Sequence, residues 1–446
     1  MVLNNTKPLA PKREIFGWAM FDFANQAYTL LIITVVFGDL FTRVIVGDAP
    51  DYRMGNLLWS LALAISYFLV VLSGPLLGAA MDYSARRKQF LLVSYWLTIT
   101  ATALLYFVEP GWIIPAIMLI IVSNFAYAIG ENFIASFLPD LGPREALGWI
   151  SGLGWALGYV GGLVASVFTL YLLGDVSAQN YERIRWVGPF AAGFFLVAAI
   201  PTFLFVRERG QRRILPRGQS LLGAGLRRLY LTAREIARFR DLSILLVSIF
   251  FAMAGIYIII SFSFIYGSQV IGWEESVRAM MFVVVQITAA IGALGFGWIQ
   301  SRIGAKVTYL ITLLLWIAAI IAIWQTPGLT AVARSLLGVS WQAQYVFLFA
   351  GCLAGLSLGS SQSAGRALVG VLTPQGKAAE FFGLWGLASK LAAVFGILGL
   401  GLIQAWLGLA DAILFCLVLF AMALLAVAPV NEARGSAVAE GWRDPD

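Results

Sequence analysis

FGWAMFDFANQAY, residues Phe16 to Tyr28, opens the first long apolar run of the chain and carries a carboxylate, Asp22, inside it. An ionised Asp at the centre of a membrane helix costs about 2.5–3.5 kcal/mol on insertion scales, so it is retained where it meets water, a partner or a ligand. At about 1.5 Å per residue, Asp22 lies roughly 10 Å inside the helix. The polar residues at positions i, i+3, i+4 and i+7 share one helix face: Asp22, Asn25, Gln26 and Thr29. This pattern predicts a polar stripe along an aqueous cavity; the alternative is an Asp near the helix start that reaches the headgroups.

The composition is that of a membrane protein. Of the 446 residues, 60% are hydrophobic and 12% are charged, and the mean hydropathy is +0.86. Soluble domains carry about 25% charged residues, and no segment long enough for a soluble domain remains once the apolar runs are removed. The net charge of +7 does not indicate a nucleic-acid partner, because the basic residues are distributed over the loops of one membrane side.

Metal and cofactor chemistry is not expected. The chain contains no histidine, so any proton handling would use carboxylates. Cys352 and Cys416 both lie in apolar runs, where neither a structural disulfide nor a zinc site is expected. The sequence has no Walker loop, no nucleophile paired with a base and no carboxylates at metal-binding spacing. We therefore expect no enzymatic activity, no ATP drive and no cofactor.

Apolar runs of about 18 residues or more predict about twelve membrane spans. With the N-terminus in the cytoplasm, roughly three-quarters of the Lys and Arg residues fall on the cytoplasmic side, so both termini are expected inside. The predicted spans are 16–46, 57–80, 89–108, 112–138, 147–173, 187–206, 242–271, 277–300, 304–325, 345–372, 380–407 and 409–430.

A long charged connection, 207–241, divides the spans six and six. The chain is thus expected to comprise an N-terminal bundle over 1–206, this linker, a C-terminal bundle over 242–430 and a disordered cytoplasmic tail over 431–446. The linker reads as a basic amphipathic helix on the anionic inner leaflet; a calmodulin-like target is the alternative. Its apolar and basic positions are Leu222, Leu226, Leu229 and Ile236, with Arg227, Arg228, Arg234 and Arg238.

The two halves repeat each other at two places. GPLLGAAMDYSARRK, Gly74 to Lys88, follows the second span, and GALGFGWIQSRIGAK, Gly292 to Lys306, follows the eighth. At a separation of 219 positions, Gly78, Asp82 and Arg87 match Gly297, Ser301 and Lys306. At a separation of 235, Pro139, Glu145 and Gly148 match Pro374, Glu380 and Gly383. Parallel halves of six spans joined by a long linker are the plan of one large class of transporters.

These residues resemble the major facilitator superfamily over nearly the whole chain. The first repeated segment is similar to its signature loop, in which Asp82, Arg86 and Arg87 would pair with a neighbouring helix end and act as a gating latch; Ser301 replaces the acid in the second copy. Within the superfamily, FDFANQAY and FLPDLGPREALGWISGLGWALGYVGG resemble the autophagy-related vacuolar amino-acid effluxer family and its prokaryotic members. The resemblance implies an all-α fold of about twelve transmembrane helices in two pseudo-symmetric six-helix bundles.

Charges of opposite sign occupy equivalent places in the two halves. Glu131 and Arg366 are separated by the same 235 positions as the repeat. The superfamily lines its central cavity with the first, fourth, seventh and tenth spans, so the resemblance puts Asp22, Glu131 and Arg366 in one water-filled space. Further candidates for substrate or ion binding are Asn25, Asn124, Gln362 and Lys390.

Three interpretations of these charges stay open. Glu131 with Arg366, or Asp22 with Lys390, would form ion pairs that close an inner gate. Alternatively, the acids hold an ammonium and the bases hold a carboxylate, since Arg suits bidentate carboxylate binding. In the third, each charge neutralises a neighbour within its own half. A buried carboxylate could also bind and release a proton in each cycle.

We therefore predict a secondary transporter that works by alternating access on a small polar or zwitterionic metabolite such as an amino acid, with proton coupling through Asp22 or Glu131. An exporter of hydrophobic or drug-like compounds, and a non-transporting receptor or assembly factor, are the alternatives. The motif Gly154, Gly158 and Gly162 indicates close helix packing rather than antiport. We expect a monomer in a bacterial cytoplasmic membrane.

Overall fold

The computed structural model describes residues 8–47, 53–172, 177–209, 220, 223, 225–227, 230–231, 238–337 and 342–442. The regular secondary structure of these residues is helical throughout. Among them, twelve helices are long and apolar enough to cross a membrane. We number them spans 1 to 12: Lys12–Val46, Met54–Ser84, Arg87–Phe107, Ile113–Asp140, Arg144–Ala165, Ala178–Phe205, Arg240–Ser263, Ser276–Ile303, Ala305–Trp324, Ala343–Leu372, Ala378–Gln404 and Leu409–Val427.

Each predicted span overlaps one of these helices, so the predicted fold class is confirmed. Two further helices were not predicted. One, Thr326–Leu337, follows span 9 and packs on spans 9 and 10. The other, Glu432–Gly441, occupies the tail. The expectation of a disordered tail is therefore wrong, because tertiary hydrogen bonds hold this polar segment as a helix.

The predicted amphipathic helix of the linker 207–241 lies largely outside the described residues. Of its predicted apolar positions, Leu226 alone is described; it lies in a helical turn and its side chain is 57% exposed. The lipid-facing role of the linker remains a prediction.

Span 1 changes its helical pitch at the polar stripe. It begins directly after Pro11, runs as an α-helix to Tyr28 and continues as a π-helical stretch over Thr29–Val35. The hydroxyl of Thr34 donates to the carbonyl of Thr29 (2.9 Å). Because π-helical turns interrupt the regular α-helical pattern, and because they are frequent at functional sites, the end of the polar stripe is a distinctive point in the helix.

The chain forms two compact units. Unit 1 comprises Met1–Gly142, Leu157–Ala233 and Gly376–Leu387. Within it, span 6 packs on spans 1 and 3, and span 4 packs on spans 2 and 3. Its core holds large aromatic side chains in edge-to-face contact, such as Phe195 with Phe21 and Tyr95.

Unit 2 comprises Pro143–Ala156, Arg234–Gln375 and Ala388–Asp446. Within it, span 12 packs on spans 7 and 9, and span 10 packs on spans 8 and 9. Adding six to each span number of unit 1 gives these same neighbours, so the sequence repeat is also a packing repeat. The start of span 5 belongs to unit 2, and the start of span 11 belongs to unit 1. The predicted bundles, 1–206 and 242–430, instead follow the linear sequence, and their boundaries remain a prediction.

In unit 1, the end of span 2 crosses the start of span 11 at small residues. A Cβ atom on Gly383 would lie 2.6 Å from the carbonyl oxygen of Gly74, and one on Gly78 would overlap the carbonyl oxygen of Ala379. Side chains at either glycine would separate the helices. Glycine therefore sets the distance of this crossing.

In unit 2, span 8 crosses the start of span 5 in a similar way. A Cβ atom on Gly297 would lie 2.7 Å from the carbonyl oxygen of Gly148, and one on Gly152 would overlap the carbonyl oxygen of Ala293. Backbone atoms again meet where no side chain intervenes. Each unit thus contains one glycine crossing, formed by a span from each half of the sequence.

The two crossings differ by one helical turn. The sequence repeat aligns Gly78 with Gly297 and Gly383 with Gly148. Gly78 lies against Ala379, four residues before Gly383, whereas Gly297 lies against Gly148 itself. A residue near the first crossing and its repeat-related residue near the second therefore face different turns of the opposing helix.

Candidate substrate site

Spans 1 and 4 run antiparallel in unit 1, and two hydrogen bonds fix their register. The indole of Trp18 donates to the carbonyl of Ile134 (2.8 Å), and the hydroxyls of Tyr28 and Ser123 are 2.8 Å apart. All four groups are buried. The polar stripe of span 1 is therefore held against the polar part of span 4.

This register brings the two candidate acids of spans 1 and 4 to one level. Asp22 lies between Trp18 and Tyr28, and Glu131 lies between their two partners on span 4. Both acid residues are half-buried. Spans 1 and 4 thus present two carboxylates at one depth, which favours binding of a positive charge.

Tyr127 connects Glu131 to span 1. Its hydroxyl donates to the Glu131 carboxylate (2.9 Å) and lies 2.6 Å from the hydroxyl of Thr29. Its ring stacks on that of Tyr28, with the centroids 4.7 Å apart. Tyr127 is 8% exposed, so the hydrogen-bond chain is shielded from solvent. Sequence reasoning missed Tyr127, although its i, i+4 spacing from Glu131 was available as a signal.

The two candidate asparagines of unit 1 are both buried. The Asn124 amide is fully buried and donates to the hydroxyl of Ser66 (2.5 Å), which joins span 4 to span 2. Asn25 is 5% exposed. Within the described residues, its Oδ1 atom has no hydrogen-bond partner. The Oδ1 atom of Asn124 likewise has no hydrogen-bond partner among the described residues. Since a buried acceptor without a donor costs about 1–3 kcal/mol, both amide oxygens are candidates for ligand contact, and Asn124 is in addition tied to span 2.

Arg366 lies in unit 2 and is 3% exposed. Its Nε donates to the hydroxyl of Ser151 (3.1 Å) and an Nη atom donates to the carbonyl of the same residue (3.0 Å). The Ser151 hydroxyl donates in turn to the carbonyl of Ser363 (2.9 Å). The guanidinium also lies 5.1 Å from the ring centroid of Trp155. The start of span 5 thus positions Arg366, a role that sequence reasoning did not give to Ser151.

Gln362 and Lys390 are the remaining candidates of unit 2. Gln362 is half-buried and lies one turn before Arg366 on span 10, so the two side chains share a helix face. Lys390 is 6% exposed; its ammonium lies 3.4 Å from the hydroxyl of Tyr257 and 5.9 Å from the ring centroid. Tyr257, on span 7, is a partner that the sequence pattern did not reveal.

The predicted latch residues lie where spans 2 and 4 end, beyond Glu131 on span 4. Arg87 is buried and forms ion pairs with Asp82 (3.2 Å) and Asp140 (2.8 Å), and it donates to the carbonyl of Ser136 (3.1 Å). The second oxygen of Asp82 accepts from the backbone N–H of Glu380 (2.9 Å). One buried arginine thus joins the ends of spans 2 and 4, and its partner Asp82 contacts the start of span 11. The latch role itself remains a proposal.

Arg86 has a different environment. It is half-exposed and, among the described residues, forms no ion pair. Nearby, Glu14 is 1% exposed and pairs with Arg209 (2.6 Å), while the carboxylate of Glu208 accepts from the backbone of Lys88 (2.8 Å). Burial raises the pKa of Glu208 above its ordinary value. These contacts hold the chain that leaves span 6 and were not predicted.

The candidate residues fall into two sets. Unit 1 holds Asp22, Asn25, Asn124 and Glu131, with Asp82, Arg86 and Arg87 at one end of its helices; unit 2 holds Gln362, Arg366 and Lys390. Within the described residues, no group of three or more His, Cys, Asp and Glu side chains is placed to bind a metal ion. The candidate side chains are carboxylates and amides on spans 1 and 4 of unit 1, and an amide and two cations in unit 2.

Comparison with known structures identifies the fold. The chain superposes on the fucose:proton symporter FucP with a TM-score of 0.69 at 14% identity, covering 92% of this chain and 97% of that one. It superposes on the proton:xylose symporter XylE with a TM-score of 0.68 at 13% identity, covering 96% of each chain. The fold is that of the major facilitator superfamily, as the sequence predicted.

Sequence comparison gives the family. The model of the "Vacuole effluxer Atg22 like" family matches residues 58–148 and 145–440, so the chain belongs to this family. The chain is 23% identical to an uncharacterized MFS-type transporter, YxiO, of Bacillus subtilis, over 96% of this chain and 97% of that protein. It is 24% identical to autophagy-related protein 22-2 of Aspergillus clavatus, over 57% of this chain and 43% of that protein. The protein is thus a multi-pass secondary transporter for a small-molecule substrate, and the predicted family is confirmed.

Proposed function

We propose that this transporter moves a small zwitterionic metabolite, with an amino acid as the leading class, by alternating access. The carrying observation is the pair of opposite charges at repeat-related positions, the half-buried Glu131 on span 4 and the buried Arg366 on span 10. An ion is costly in such surroundings unless a partner or ligand compensates it. A zwitterion supplies both compensating charges in one molecule.

The acid side of the proposed site is built for a donor-rich group. Two carboxylates, Asp22 and Glu131, lie at one level, and the Oδ1 atom of Asn25 is an acceptor without a protein donor among the described residues. An ammonium has three N–H donors and no acceptor. It therefore matches a surface formed by acceptors, which would repel a carboxylate and offer a neutral apolar ligand no favourable contact.

The base side is built for a planar acceptor. Ser151 holds the Arg366 guanidinium through Nε and one Nη atom, and Trp155 lies against it. A guanidinium held in one orientation binds a carboxylate with two parallel hydrogen bonds. Lys390, held by Tyr257 on span 7, is a second cation of the same unit. In the competing gate interpretation, these cations close the site by pairing with the acids.

The proposed proton coupling uses the same carboxylates as the proposed ammonium site. Without histidine in the chain, a carboxylate is the group available to exchange a proton between two conformations. Glu131 accepts a hydrogen bond from Tyr127 and has a nearby acidic neighbour in Asp22, so its protonation would change the charge that the ammonium meets. We infer that Glu131, with Asp22, links proton movement to substrate movement.

Placement in the membrane completes the proposal. The excess of basic residues in the loops on one side favours a bacterial cytoplasmic membrane with both termini in the cytoplasm. The basic linker would then lie on anionic lipid. One chain with two six-span halves is sufficient for alternating access, so a monomer is the expected unit.

A ligand screen by thermal shift tests the substrate class. Amino acids, peptides, sugars and hydrophobic drugs are offered to the purified wild type, to Arg366→Ala and to Arg302→Ala, which removes an exposed arginine that packs on Trp298. A ligand that binds the folded state raises its stability by mass action, by about 2.7 kcal/mol at one hundred times Kd. Stabilisation of wild type and Arg302→Ala, but not Arg366→Ala, by an amino acid supports the proposal. Stabilisation of all three by hydrophobic compounds alone contradicts it and favours the drug-exporter alternative.

A further inference from the structure

The C-terminal helix, Glu432–Gly441, is anchored to span 7 by a buried acid. Asp241 is 4% exposed and accepts two hydrogen bonds from the guanidinium of Arg434 (2.8 and 2.7 Å). Its carboxylate also accepts from the backbone of Asn431 (2.7 Å). Gly435 packs tightly against Leu372 at the end of span 10, where a Cβ atom would approach within 2.7 Å. The C-terminal helix is therefore attached to spans 7 and 10 of unit 2.

A second anchor attaches the same helix to span 9. The carboxylate of Glu432 accepts from the backbone N–H groups of Ala305 (3.2 Å) and Lys306 (2.8 Å), the first residues of that span. A carboxylate at a helix N-terminus satisfies N–H groups that lack partners within the helix and interacts favourably with the helix dipole. The ammonium of Lys306 donates to the carbonyl of Ala428, which joins span 9 to the end of span 12, just before the C-terminal helix.

The remaining contact reaches a helix of the other half of the sequence. Arg144, the first residue of span 5, donates to the carbonyl of Ser436 (2.7 Å) and to the carboxylate of Glu440 (2.7 Å), and it also contacts the Ser436 hydroxyl. The Arg144 side chain is 23% exposed. Three acceptors of the C-terminal helix thus converge on one guanidinium.

This contact stands where the repeat lacks its carboxylate. In unit 1, Asp82 on span 2 accepts from the backbone at the start of span 11. Its counterpart in unit 2 is Ser301, which is exposed and whose hydroxyl donates within its own helix, to the carbonyl of Trp298 (2.7 Å). The carboxylate that engages the start of span 5 is that of Glu440.

We propose that the C-terminal helix replaces the missing second latch. This helix is attached to spans 7 and 9 and accepts hydrogen bonds from Arg144. The start of span 5 therefore cannot separate from span 8 until the hydrogen bonds of Arg144 break. Release of Arg144 therefore controls how often the cytoplasmic side opens. The proposal rests on alternating access as the proposed mode of transport.

The test measures access to the two glycine crossings in inside-out vesicles. In a background with Cys352 and Cys416 replaced by Ala, a single cysteine replaces Leu147, which is 1% exposed at the start of span 5, or Ala379, which is 3% exposed at the start of span 11. The rate of alkylation by a maleimide reports opening. The variants are Arg144→Ala, Glu440→Ala, the charge exchange Arg144→Glu with Glu440→Arg, and Arg302→Ala as a matched control at the end of span 8.

We expect Arg144→Ala to raise the alkylation rate of both cysteines about three- to tenfold, as loss of hydrogen bonds to a partly exposed charge implies. Glu440→Ala gives a smaller rise because its side chain is 70% exposed, the charge exchange returns the rate toward wild type, and Arg302→Ala leaves it unchanged. Equal rates for Arg144→Ala and Arg302→Ala, with measurable labelling in wild type, overturn the latch alone. No labelling of either cysteine in any variant overturns alternating access itself, and the latch with it.

Discussion

The hydroxyl of Tyr127 donates a 2.9 Å hydrogen bond to the carboxylate of Glu131, one helical turn further along span 4. The same hydroxyl lies 2.6 Å from that of Thr29, at the first residue of the π-helical stretch of span 1. Tyr127 therefore fixes the direction of the acid that we place in the substrate site. A positioning role of this kind predicts a loss of binding that exceeds any loss of stability.

Replacement of Tyr127 by Phe removes this hydrogen bond while keeping the ring and its stacking on Tyr28. We expect ligand affinity to fall about tenfold, whereas the free energy of unfolding falls by about 1 kcal/mol. Tyr95→Phe is the matched control, because the Tyr95 hydroxyl donates to the carbonyl of Leu196 (2.8 Å), away from the acids. Thermal unfolding with and without ligand separates the two effects. Equal loss of affinity in both variants would show that the Tyr127 hydroxyl has no special relation to the ligand.

The glycine crossing of unit 1 predicts strong sensitivity at Gly78. A Cβ atom there would overlap the carbonyl oxygen of Ala379, so even Gly78→Ala must separate spans 2 and 11. We expect a loss of about 1–3 kcal/mol in the free energy of unfolding, as for other overpacked positions. Gly193→Ala is the control, because a Cβ atom there meets no other atom within 4 Å. If thermal unfolding midpoints of the two variants coincide, the crossing is not as close as described.

Two adjacent arginines differ in their surroundings and should differ in their effects. Arg87→Ala leaves the buried carboxylates of Asp82 and Asp140 without their shared cation, and breaking a buried ion pair in this way costs about 3–5 kcal/mol. Arg86→Ala removes the same charge from a half-exposed position and should cost less than about 1 kcal/mol. Chemical unfolding in detergent measures both. A similar loss in the two variants would contradict the structural role of the Arg87 network.

Much of the fold follows from hydropathy and spacing. Twelve apolar runs, basic residues on one side and matched segments separated by 219 and 235 positions predicted the helices and the two halves. The same spacing related Glu131 to Arg366. Hydropathy reveals the helices because a membrane-spanning helix must be apolar along nearly its whole length. The family was predicted from the resemblance of FDFANQAY and FLPDLGPREALGWISGLGWALGYVGG to its members.

Other features depend on tertiary contacts that no local pattern encodes. The C-terminal helix has a polar sequence typical of disorder, and it is Asp241, nearly two hundred residues earlier, that holds it through Arg434. The exchange of the starts of spans 5 and 11 between the two units and the one-turn offset of the glycine crossings are likewise packing results. Ser151 beside Arg366 is a further example, since the two are separated by 215 positions.

The most direct test of the substrate proposal uses three matched ligands. These are the amino acid that gives the largest thermal shift, its amide, which lacks the carboxylate, and the corresponding acid without the amino group. Each is titrated against wild type, Glu131→Gln and Arg366→Lys at fixed pH, and Kd is obtained from the shift of the unfolding midpoint.

If Glu131 binds the ammonium and Arg366 the carboxylate, wild type binds the amino acid at least about tenfold more tightly than either analogue, a difference of about 1.4 kcal/mol. Glu131→Gln then loses its preference over the deaminated acid, and Arg366→Lys loses its preference over the amide. If both variants keep the wild-type order and ratio of affinities for the three ligands, these charges do not contact the substrate, and the zwitterion proposal is wrong.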